Sequence, residues 1–594
     1  MEVSLLDRTG SWVYRPSVNS ILAVLCRQLA ENPARIVLNS LRPRRTGIDV
    51  RPLVLGEVVV LVQRARALLA AAGVHSGDRV ILSLSDPRDF LAWILGCFSS
   101  GLTAVPIPAP GEMSMPAAFL DRARSVVGDC RPAVVIVPSR KSWVAAVGEL
   151  FAGVPVLESA LLETAVPEAE RFAAFVDQPP SVTAFLQYTS GSTGSPKGVV
   201  ITHDNLIANC EAARVAARFT PEDHMVSWLP LHHDMGLVGA LMTSIYAGMT
   251  TSIMTPLSFL GRPISWLRAI HELRATISVS PTFGYQLCVQ KIPPLQISGL
   301  DLSCWRLAFV GAEPVTRPVL AAFADRFSSA RFSPRALFPV YGLAEATLSA
   351  TFPTPGEFPH FDPIDRTRLA EDGKAMPGAD PSQSTIWIAS VGKPVPGHTV
   401  QIVSPDNGSE CEEREVGEVV FSGPSISTHY FGQSPEDRRP RLHTGDLGYI
   451  AEGRLYLVDR LKDLVIVGGQ NYVSSDIESA IYDIPGVRSG MVVAFATSGA
   501  DATEALAIVA EVDTRLQRNL RDIEDDIREQ IQRRTGLVAS SIHMAPKGTI
   551  EKTTSGKLRR AECRKKFESG QLPKAADLPR NTSNERGRQD AQAN

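Results

Sequence analysis

A short polar segment from Tyr188 to Gly198, YTSGSTGSPKG, constrains this chain more than any other feature. It lies between two apolar runs, Val182–Leu186 and Val199–Ile201, so we expect a loop between two strands. Small residues and hydroxyls allow backbone N–H and side-chain O–H groups to wrap a polyphosphate, and a lysine supplies positive charge. The Walker A pattern GxxxxGK[ST] cannot be laid on it. We interpret the segment as a phosphate-binding loop of another type; a merely flexible Ser/Gly loop is the alternative.

The first part of the chain predicts an α/β fold. A chain of 594 residues is too long for one hydrophobic core, so two or more domains are expected. Between about residues 20 and 350, amphipathic helical segments alternate with short runs rich in Val and Ile, which is typical of layered sheets covered by helices. The expected helices are Ile21–Glu31, Leu55–Ala72, Asp89–Ser100 and Asn205–Ala217, and the expected strands are Arg79–Leu84, Ala133–Val137 and Thr250–Met254.

The second part changes character more than once. Residues 354–384 contain five prolines and little apolar periodicity, so we expect a long surface insertion or loop. The residues after it predict the small β subdomain of a large domain 1–459, then a small α+β domain 460–571, then a disordered tail 572–594. The expected strands are Thr385–Ile388, Thr399–Val403, Gly417–Phe421, Arg454–Leu457, Met491–Ala494 and Ala505–Val512, and the expected helices are Asp476–Tyr482 and Arg518–Arg533.

Six further segments, together with the loop, resemble the signature motifs of the adenylate-forming superfamily. This superfamily includes acyl-CoA synthetases, adenylation domains of peptide synthetases, luciferases and fatty acyl-AMP ligases. The six segments, which occur in the family's order, are Gly311–Pro314 (GAEP), Tyr341–Glu345 (YGLAE), Val391–Gly397 (VGKPVPG), His443–Gly448 (HTGDLG), Asp459–Asp463 (DRLKD) and Thr553–Lys557 (TTSGK). The resemblance implies a ligase that uses ATP and Mg²⁺ to join a carboxylic acid to AMP, and a small C-terminal domain that moves relative to the large one.

By this resemblance, one set of residues binds ATP and AMP. Tyr341 is expected to stack on adenine, Asp446 to accept hydrogen bonds from both ribose hydroxyls, and Arg460 to reach the ribose. Glu345 and Thr189 are the expected Mg²⁺ ligands. Each of these residues taken singly has an ordinary structural alternative. Tyr341 could be a core tyrosine, Glu345 a glutamate at the start of a helix, and Asp446 a turn aspartate. The full predicted set is Thr189, Ser190, Gly191, Ser192, Thr193, Gly194, Lys197, Gly311, Ala312, Glu313, Tyr341, Gly342, Asp446, Arg460 and Lys557.

The resemblance assigns catalysis to Lys557, Lys197 and Glu345. Lys557 lies in a glycine-containing loop before a basic helix, Leu558–Phe567. A positive charge on a mobile loop can be brought to the α-phosphate as negative charge builds in the transition state, where fixed charge contributes most. Lys462 occupies the position of the interdomain hinge. The alternative for Lys557 is a surface lysine in a basic tail. The alternative for Lys462 is that it belongs to a solvated run of charged residues.

The segment Trp228–Leu237, WLPLHHDMGL, resembles fatty acyl-AMP ligases more closely than the superfamily at large. The resemblance puts His233 in the lining of the acyl channel. His233 and Asp234 could also suggest a metal site or a catalytic triad, but no nucleophile or third ligand is placed beside them in the sequence.

Three features favour the fatty acyl-AMP ligase branch: the lead-in LQYTSGSTG, the motif YGLAEATL and the proline-rich stretch 354–384. In that branch the acyl group passes to the phosphopantetheine thiol of an acyl carrier protein or of a polyketide or peptide synthase, and the insertion restricts the conformation that coenzyme A requires. The fatty acid is then the substrate, and a holo carrier protein acts in trans. A fatty acyl-CoA synthetase of the same fold and a non-catalytic nucleotide- or lipid-binding protein are the alternatives.

The chain departs from this branch at one place. Val473-Ser474 stands where Tyr-Pro is usual, although the neighbouring Asn471 and Asp476-Ile-Glu478 are kept. Loss of the proline is expected to loosen the turn after the hinge.

Composition excludes several partners and locations. With 60 basic and 63 acidic residues the net charge is -3, which gives no basic excess for a nucleic-acid partner. The eight cysteines show no CxxC pair or zinc-like spacing, which indicates thiols in a reducing compartment. The N-terminus lacks the order of a signal peptide, and the most apolar stretch, Phe90–Pro108, is interrupted before it could span a bilayer. We expect a cytoplasmic enzyme without an integral membrane segment.

Overall fold

The computed structural model describes residues 20–109, 116–139, 151, 153–164, 166, 173–189, 196–378, 385–434, 441–467, 470–498, 504–513, 518–552 and 558–577, without the side chains of residues 116–122. Within these residues the chain forms layered sheets covered by helices. This is the mixed α/β class that the alternating apolar segments predict.

The helices follow local capping and burial signals. The N-cap Asp86 accepts hydrogen bonds from the first turn of its helix, Pro87 occupies the first position, and the following residues are buried. The α-helices are α1 (Ile21–Glu31), α2 (Leu55–Ala71), α3 (Pro87–Ser99), α4 (Pro116–Cys130), α5 (His203–Ala217), α6 (Thr243–Ala247), α7 (Pro256–Gly261), α8 (Ile264–Glu272), α9 (Thr282–Lys291), α10 (Pro294–Ile297), α11 (Arg317–Arg326), α12 (Arg366–Asp372), α13 (Ser474–Ser479), α14 (Leu520–Thr535) and α15 (Arg560–Glu568). A π-helix, Met235–Met242, precedes α6. Short 3₁₀ turns lie at Ser159–Glu163, Ser328–Ala330, Pro334–Ala336, Ala344–Ala346, Leu461–Asp463 and Ala575–Asp577.

The strands fall into a mainly parallel first half and a mainly antiparallel second half. Those of the first half are β1 (Ile36–Pro43), β2 (Ile48–Val54), β3 (Arg79–Leu82), β4 (Thr103–Pro106), β5 (Val134–Val137), β6 (Val156–Glu158), β7 (Thr183–Thr189), β8 (Lys197–Thr202), β9 (His224–Ser227), β10 (Thr250–Ile253), β11 (Ile277–Ser280), β12 (Leu307–Val310) and β13 (Leu337–Pro339). Those of the second half are β14 (Tyr341–Gly342), β15 (Ser349–Phe352), β16 (Phe361–Asp365), β17 (Thr385–Pro394), β18 (Thr399–Val403), β19 (Gly417–Ser422), β20 (Leu442–Ala451), β21 (Arg454–Arg460), β22 (Val465–Val467), β23 (Gln470–Tyr472), β24 (Val487–Ser498), β25 (Glu504–Val512) and β26 (Ala539–Ala545).

Two sheets make up the first half. One has the strand order β6-β5-β3-β4-β7-β8, and the other has the order β13-β12-β11-β9-β10-β1-β2. The pairs β7 with β8 and β1 with β2 are antiparallel. Strands β5 and β12 are buried at every residue, as strands covered on both faces by helices require. The phosphate-loop segment connects β7 to β8 at the edge of the first sheet.

A third, antiparallel sheet carries most of the remaining motifs. Its order is β14-β15-β17-β21-β20-β19-β18, and β16 pairs with β17. Tyr341 lies on β14, Asp446 on β20 and Arg460 on β21, with Asp446 and Arg460 in register. After β21 the chain forms the hairpin β22–β23 and a three-stranded sheet, β24-β25-β26, packed with α13 and α14 around Ile477, Ile508 and Ile527.

Each helix and strand predicted from the sequence overlaps an element of the same type, with ends that differ by up to six residues, as in β17. Two predictions differ from the structure in kind. The first concerns the stretch 354–384, which contains β16 and α12 rather than only a surface loop. Strand β16 is hard to recognise because its buried positions are Asp362 and Ile364, so a charge interrupts the apolar alternation. Asp362 is compensated by Arg414 Nη1 at 2.9 Å and by the Tyr449 hydroxyl at 2.8 Å. Residues 379–384 lie outside the described part.

The second difference concerns the tail that was expected to be disordered from residue 572. Leu572 and Ala575 are buried in the C-terminal part, and Ala575–Asp577 forms a 3₁₀ turn. Two apolar side chains anchor these residues despite their polar neighbours; residues 578–594 are not described. Among the described residues, no helix combines the length and apolarity that a membrane crossing needs.

Candidate active site

The base of the predicted phosphate loop is a strand pair. Thr189 lies opposite Lys197 in the antiparallel pair of β7 and β8, so the two ends of the loop are adjacent. The Tyr188 hydroxyl, one residue earlier, donates a hydrogen bond to the Asp129 carboxylate on α4, which anchors this end of β7. The predicted loop ligands outside the described residues are Ser190, Gly191, Ser192, Thr193 and Gly194.

The side chain of Tyr430 connects the loop base with Glu345. Its hydroxyl donates a hydrogen bond to Glu345 Oε1 at 2.9 Å, and Lys197 Nζ lies over its ring, 5.3 Å from the centroid. The next residue, Phe431, donates its N–H to the Gly198 carbonyl at 2.7 Å, which fixes this segment against β8. The predictions missed Tyr430, because it lies in none of the motifs and 85 positions separate it from Glu345.

Glu345 lies on a tight turn that its surroundings hold in place. The turn is a single 3₁₀ turn between β14 and β15, not the start of a helix, and Thr347 follows it at φ +68°, a value that β-branched residues seldom adopt. Thr347 Oγ1 donates to the Ser425 carbonyl at 2.7 Å, and the Asn209 amide donates to the Ala346 carbonyl at 3.0 Å. These buried hydrogen bonds maintain the unusual backbone and so fix the direction from which Glu345 extends.

Three of the predicted nucleotide residues form one hydrogen-bonded group. The Tyr341 hydroxyl donates to Asp446 Oδ2, and Arg460 Nε lies 2.9 Å from Asp446 Oδ1. Burial, followed by the charge of Asp446, raises the pKa of Tyr341 well above its usual value, so the phenol stays protonated and continues to donate. Each carboxylate oxygen has a second lone pair, so Asp446 can still accept hydrogen bonds from two hydroxyls.

The other predicted nucleotide residues occupy tight backbone positions. Gly342 admits no side chain, because a Cβ there would lie 2.2 Å from a backbone carbonyl oxygen. Ala312 adopts φ +66°, and a Cβ at Gly311 would lie 3.1 Å from Val340, the residue between β13 and β14. The Glu313 carboxylate accepts the Phe283 N–H at 3.0 Å, which joins this motif to α9.

The loop of the predicted catalytic lysine, residues 553–557, lies outside the described residues, but both of its ends are placed. Lys552 and Leu558 form an antiparallel bridge. Just before the loop, the fully buried Glu511 accepts the N–H groups of Gly548 and Ile550 at 2.9 Å each. The base of the Lys557 loop is therefore held by a buried carboxylate.

The C-terminal part faces the Glu313 motif. Burial lowers the pKa of Lys552, and Glu313 is the first of the carboxylates that oppose this shift, so the two side chains lie within electrostatic range. Gln286 Nε2 donates to Ser489 Oγ at 3.1 Å across the same boundary. In this arrangement the two ends of the Lys557 loop, Lys552 and Leu558, lie on the side of the C-terminal part that faces the Glu313 motif.

The predicted hinge residue Lys462 lies on the 3₁₀ turn directly after β21. Burial, followed by the charge of Arg460, lowers its pKa. Asp463, the next residue, lies 3.8 Å from Arg560 Nη1. The turn is thus close both to the nucleotide group and to the helix that follows the Lys557 loop.

His233, the predicted acyl-channel residue, precedes the π-helix. Its Nδ1 lies 3.5 Å from Asp234 Oδ1, and its side chain is about one quarter exposed, at 24 %. Local π-helical turns often occur at functional sites, and here the backbone passes close to itself: a Cβ at Gly236 would lie 2.2 Å from the Pro230 carbonyl oxygen. The structure places His233 beside this unusual segment, directly before the π-helix.

The residues present fit a magnesium ion that arrives with ATP. No group of three or more His, Cys, Asp or Glu side chains with metal-binding geometry occurs among the described residues. Mg²⁺ is commonly held by one or two protein ligands together with substrate phosphates and water rather than by a protein cage. The Glu345 carboxylate, linked through Tyr430 to the loop base that bears Thr189, is the candidate for such a ligand.

Comparisons with known proteins agree with this arrangement of motifs. A family model described as AMP-binding enzyme matches residues 45–431. A medium-chain-fatty-acid–[acyl-carrier-protein] ligase of Moorena producens is 32% identical over 534 residues, with 86% of this chain and 89% of the relative covered. A protein of Caulobacter vibrioides that is named as an acyl-CoA synthetase has the same identity and the same coverage.

A solved structure gives the same result at the level of the fold. It comes from a study of fatty acyl-adenylate ligases of E. coli and L. pneumophila, and it superposes with a TM-score of 0.85 at 32% identity. The match covers 93% of this chain and 98% of the solved one.

Proposed function

This chain belongs to the AMP-binding enzyme family, as a ligase of the fatty acyl-AMP branch, and we propose that it activates a fatty acid with ATP and Mg²⁺ as acyl-AMP and pyrophosphate. The acyl group then passes to the phosphopantetheine thiol of a holo acyl carrier protein, or of a polyketide or peptide synthase, in trans. The observation that carries the proposal is the hydrogen bond from Tyr430 to Glu345, because it ties the candidate metal carboxylate to the base of the phosphate loop.

In the proposed first step, a fatty carboxylate oxygen attacks the α-phosphorus of ATP. The bond from that phosphorus to the oxygen bridging to the β-phosphate breaks, and pyrophosphate leaves with the electron pair. Lys557 and Lys197 stabilise the charge that builds on the phosphates, and the loop Thr189–Gly194 orients them. Mg²⁺, held by Glu345 and Thr189, would neutralise phosphate charge.

The nucleotide is oriented by the group around Asp446. Asp446 accepts from the ribose hydroxyls, Arg460 lies against the same carboxylate, and Tyr341 stacks on the adenine. The backbone of Gly311, Ala312, Glu313 and Gly342 lines the same site. The pre-existing hydrogen bonds of Asp446 support this proposal, because they hold the carboxylate in one orientation before the nucleotide binds.

The second step uses the two domains that the sequence predicts, residues 1–459 and 460–571. We propose that the small domain rotates about Lys462, which removes the Lys557 loop and opens a path for the acceptor thiol. His233 lines the acyl channel in this scheme. The reaction is placed in the cytoplasm, which the eight free thiols support.

Coenzyme A is the competing acceptor, and the name of the Caulobacter vibrioides relative favours it. The carrier protein is favoured by the name of the Moorena producens relative and by the insertion 354–384. Helix α12 of this insertion contacts α13 of the C-terminal part through Arg366 and Asp476, a contact that rotation of the small domain would break.

The experiment that separates these acceptors supplies ATP, a series of fatty acids and either coenzyme A or a holo carrier protein. Acyl-AMP, acyl-CoA and acyl-carrier products are followed by mass spectrometry. Clearance of acyl-AMP by the carrier protein supports the proposal. Equal or faster clearance by coenzyme A contradicts it in favour of an acyl-CoA synthetase.

A further inference from the structure

The residues directly after the hairpin β22–β23 contact the large domain at three points. We call Val473–Asp476 the clamp segment. Val473 packs in an apolar cluster with Ile364, Leu369 and Tyr449, all of which precede the hinge. Asp476 pairs with Arg366 through two contacts, Nε to Oδ2 at 2.7 Å and Nη2 to Oδ1 at 3.1 Å. The clamp segment therefore lies against both β16 and α12 of the insertion.

Ser474 makes the third and most specific contact. Its backbone N–H donates to Asp459 Oδ2 at 2.6 Å and its hydroxyl donates to the same oxygen at 2.8 Å. Asp459 belongs to β21, on the large-domain side of Lys462, while Ser474 begins α13 on the other side. The two hydrogen bonds thus bridge the hinge. Proline lacks the groups to make either bond, so the serine supplies hydrogen bonds at this turn in place of the rigidity of a proline. The looser turn expected from the loss of the proline stays a prediction.

The Asp459 carboxylate needs such donors. Burial raises its pKa to about 6, against the opposing influence of Arg560 and of the hydrogen bonds from Ser474 and from the Arg460 N–H. Without the donors of Ser474, ionised Asp459 would lose two of its hydrogen bonds in a site that solvates charge poorly. The bridge across the hinge is therefore strongest with the serine in its present place.

In the orientation that the clamp segment maintains, the base of the Lys557 loop lies on the side of the nucleotide motifs, as the proposed first step needs. With Ser474 on Asp459, Lys552 faces Glu313 and Gln286 reaches Ser489, so the ends of the Lys557 loop lie beside the nucleotide motifs. We propose that Ser474 is a positioning residue for adenylate formation, which holds the C-terminal part in this orientation by donating its N–H and hydroxyl groups to Asp459. This role rests on the function proposed above. Rotation for the second step breaks both hydrogen bonds.

Substitutions at position 474 separate the two donors. Ser474→Pro removes both of them, yet the first position of a helix accepts proline, since its N–H has no partner within the helix. Val473 has φ -72° and ψ 116°, which suits a residue before proline. Ser474→Ala removes only the hydroxyl, and Ser474→Thr keeps both donors. Ser479→Ala is the matched control, because the Ser479 hydroxyl donates to the Asp476 carbonyl within α13.

The test measures the two half-reactions separately on the full chain. Ser474→Pro is expected to slow fatty-acid-dependent ATP–pyrophosphate exchange by about tenfold, the effect of a hydrogen bond to a charged acceptor. Transfer from purified acyl-AMP to a holo carrier protein stays unchanged or becomes faster. Ser474→Ala falls between, while Ser474→Thr and Ser479→Ala behave as wild type. In an Asp459→Ala background, which lacks the acceptor oxygens of Asp459, Ser474→Pro causes little further loss.

Two results would overturn the role of Ser474 while leaving the proposed function in place. One is exchange by Ser474→Pro at the wild-type rate. The other is an equal fall in both half-reactions, which would indicate a general structural defect. A third such result is an additive loss in the Asp459→Ala background. A wild-type chain with no fatty-acid-dependent exchange would instead overturn the proposed function, and the positioning role with it.

Discussion

The hydroxyl group of Tyr430 donates a hydrogen bond of 2.9 Å to Oε1 of Glu345. Because Lys197 lies over the ring of the same tyrosine, one side chain joins the candidate metal carboxylate to the loop lysine at the start of β8. The arrangement pre-orients the groups that face the ATP phosphates in the proposed reaction.

Tyr430→Phe tests this link, since it removes the hydrogen bond and keeps the ring beside Lys197. We expect the rate of ATP–pyrophosphate exchange at subsaturating ATP to fall by about tenfold, without a change in the thermal midpoint. Tyr472→Phe, which removes a hydroxyl that donates locally to Gln470, serves as the control. Equal effects of the two variants would show that Tyr430 has no special part in orienting Glu345.

Asp446→Asn tests the nucleotide group. The amide carries no charge for Arg460 and is a weaker acceptor for Tyr341 and for ribose hydroxyls, so we expect AMP binding to weaken by about 100-fold. Equilibrium titration with AMP measures this. Asp49→Asn, which breaks the exposed pair with Arg44, should leave AMP affinity unchanged. Wild-type affinity in Asp446→Asn would exclude a ribose contact at this carboxylate.

Arg366→Met tests the acceptor preference. Removal of the two-contact pair with Asp476 detaches α12 from α13, so the small domain should reach the conformation for a free thiol more easily. We expect the ratio of acyl-CoA to acyl-carrier product to rise by about tenfold. Arg368→Met, on the same helix but paired with Asp372 at the surface, is the control. An unchanged ratio would remove this contact from the explanation of acceptor choice.

His203→Met tests the pH dependence of stability. His203 is buried, its Nδ1 has no hydrogen-bond partner among the described residues, and burial lowers its pKa from 6.5 to about 4. The folded chain therefore binds fewer protons than the unfolded chain between these values, so stability is present above pH 6.5 and is lost as the pH falls towards 4. The loss amounts to about 3 kcal/mol.

Thermal unfolding at pH 8 and pH 4.5 checks this expectation. The drop in midpoint between the two pH values should be smaller in His203→Met than in wild type, while His75→Gln, at an exposed position, should leave the drop as it is. A His203→Met variant as acid-sensitive as wild type would show that other groups dominate acid unfolding.

The fold and part of the site follow from local sequence signals. The alternation of apolar runs predicts the sheets and helices, because short strands such as β5 and β12 are buried at every residue. Tyr341, Asp446 and Arg460 lie in three separate motifs, and the structure brings them into one hydrogen-bonded group. The order of the motifs, rather than any single residue, made this grouping predictable.

The contacts that escaped prediction join residues far apart in the chain through ordinary side chains. Tyr430 and Glu345 are 85 positions apart, and Tyr430 lies in none of the motifs that indicate the site. Asp362 conceals β16, because its charge is neutralised only by Arg414, 52 positions away. From the sequence alone, Ser474 shows only that the usual proline is missing, because its partner Asp459 is not apparent. Such pairings depend on tertiary packing, which a single sequence does not display.

We propose that this chain forms acyl-AMP with Lys557 as the catalytic lysine. Fatty-acid-dependent ATP–pyrophosphate exchange by the wild type, Lys557→Ala and the nearby control Lys547→Ala tests it most directly, with the adenylate identified by mass spectrometry. We predict exchange and acyl-AMP for the wild type and Lys547→Ala, and a loss of about 100-fold or more for Lys557→Ala. Absence of acyl-AMP from the wild type, or exchange by Lys557→Ala at the wild-type rate, would contradict the account.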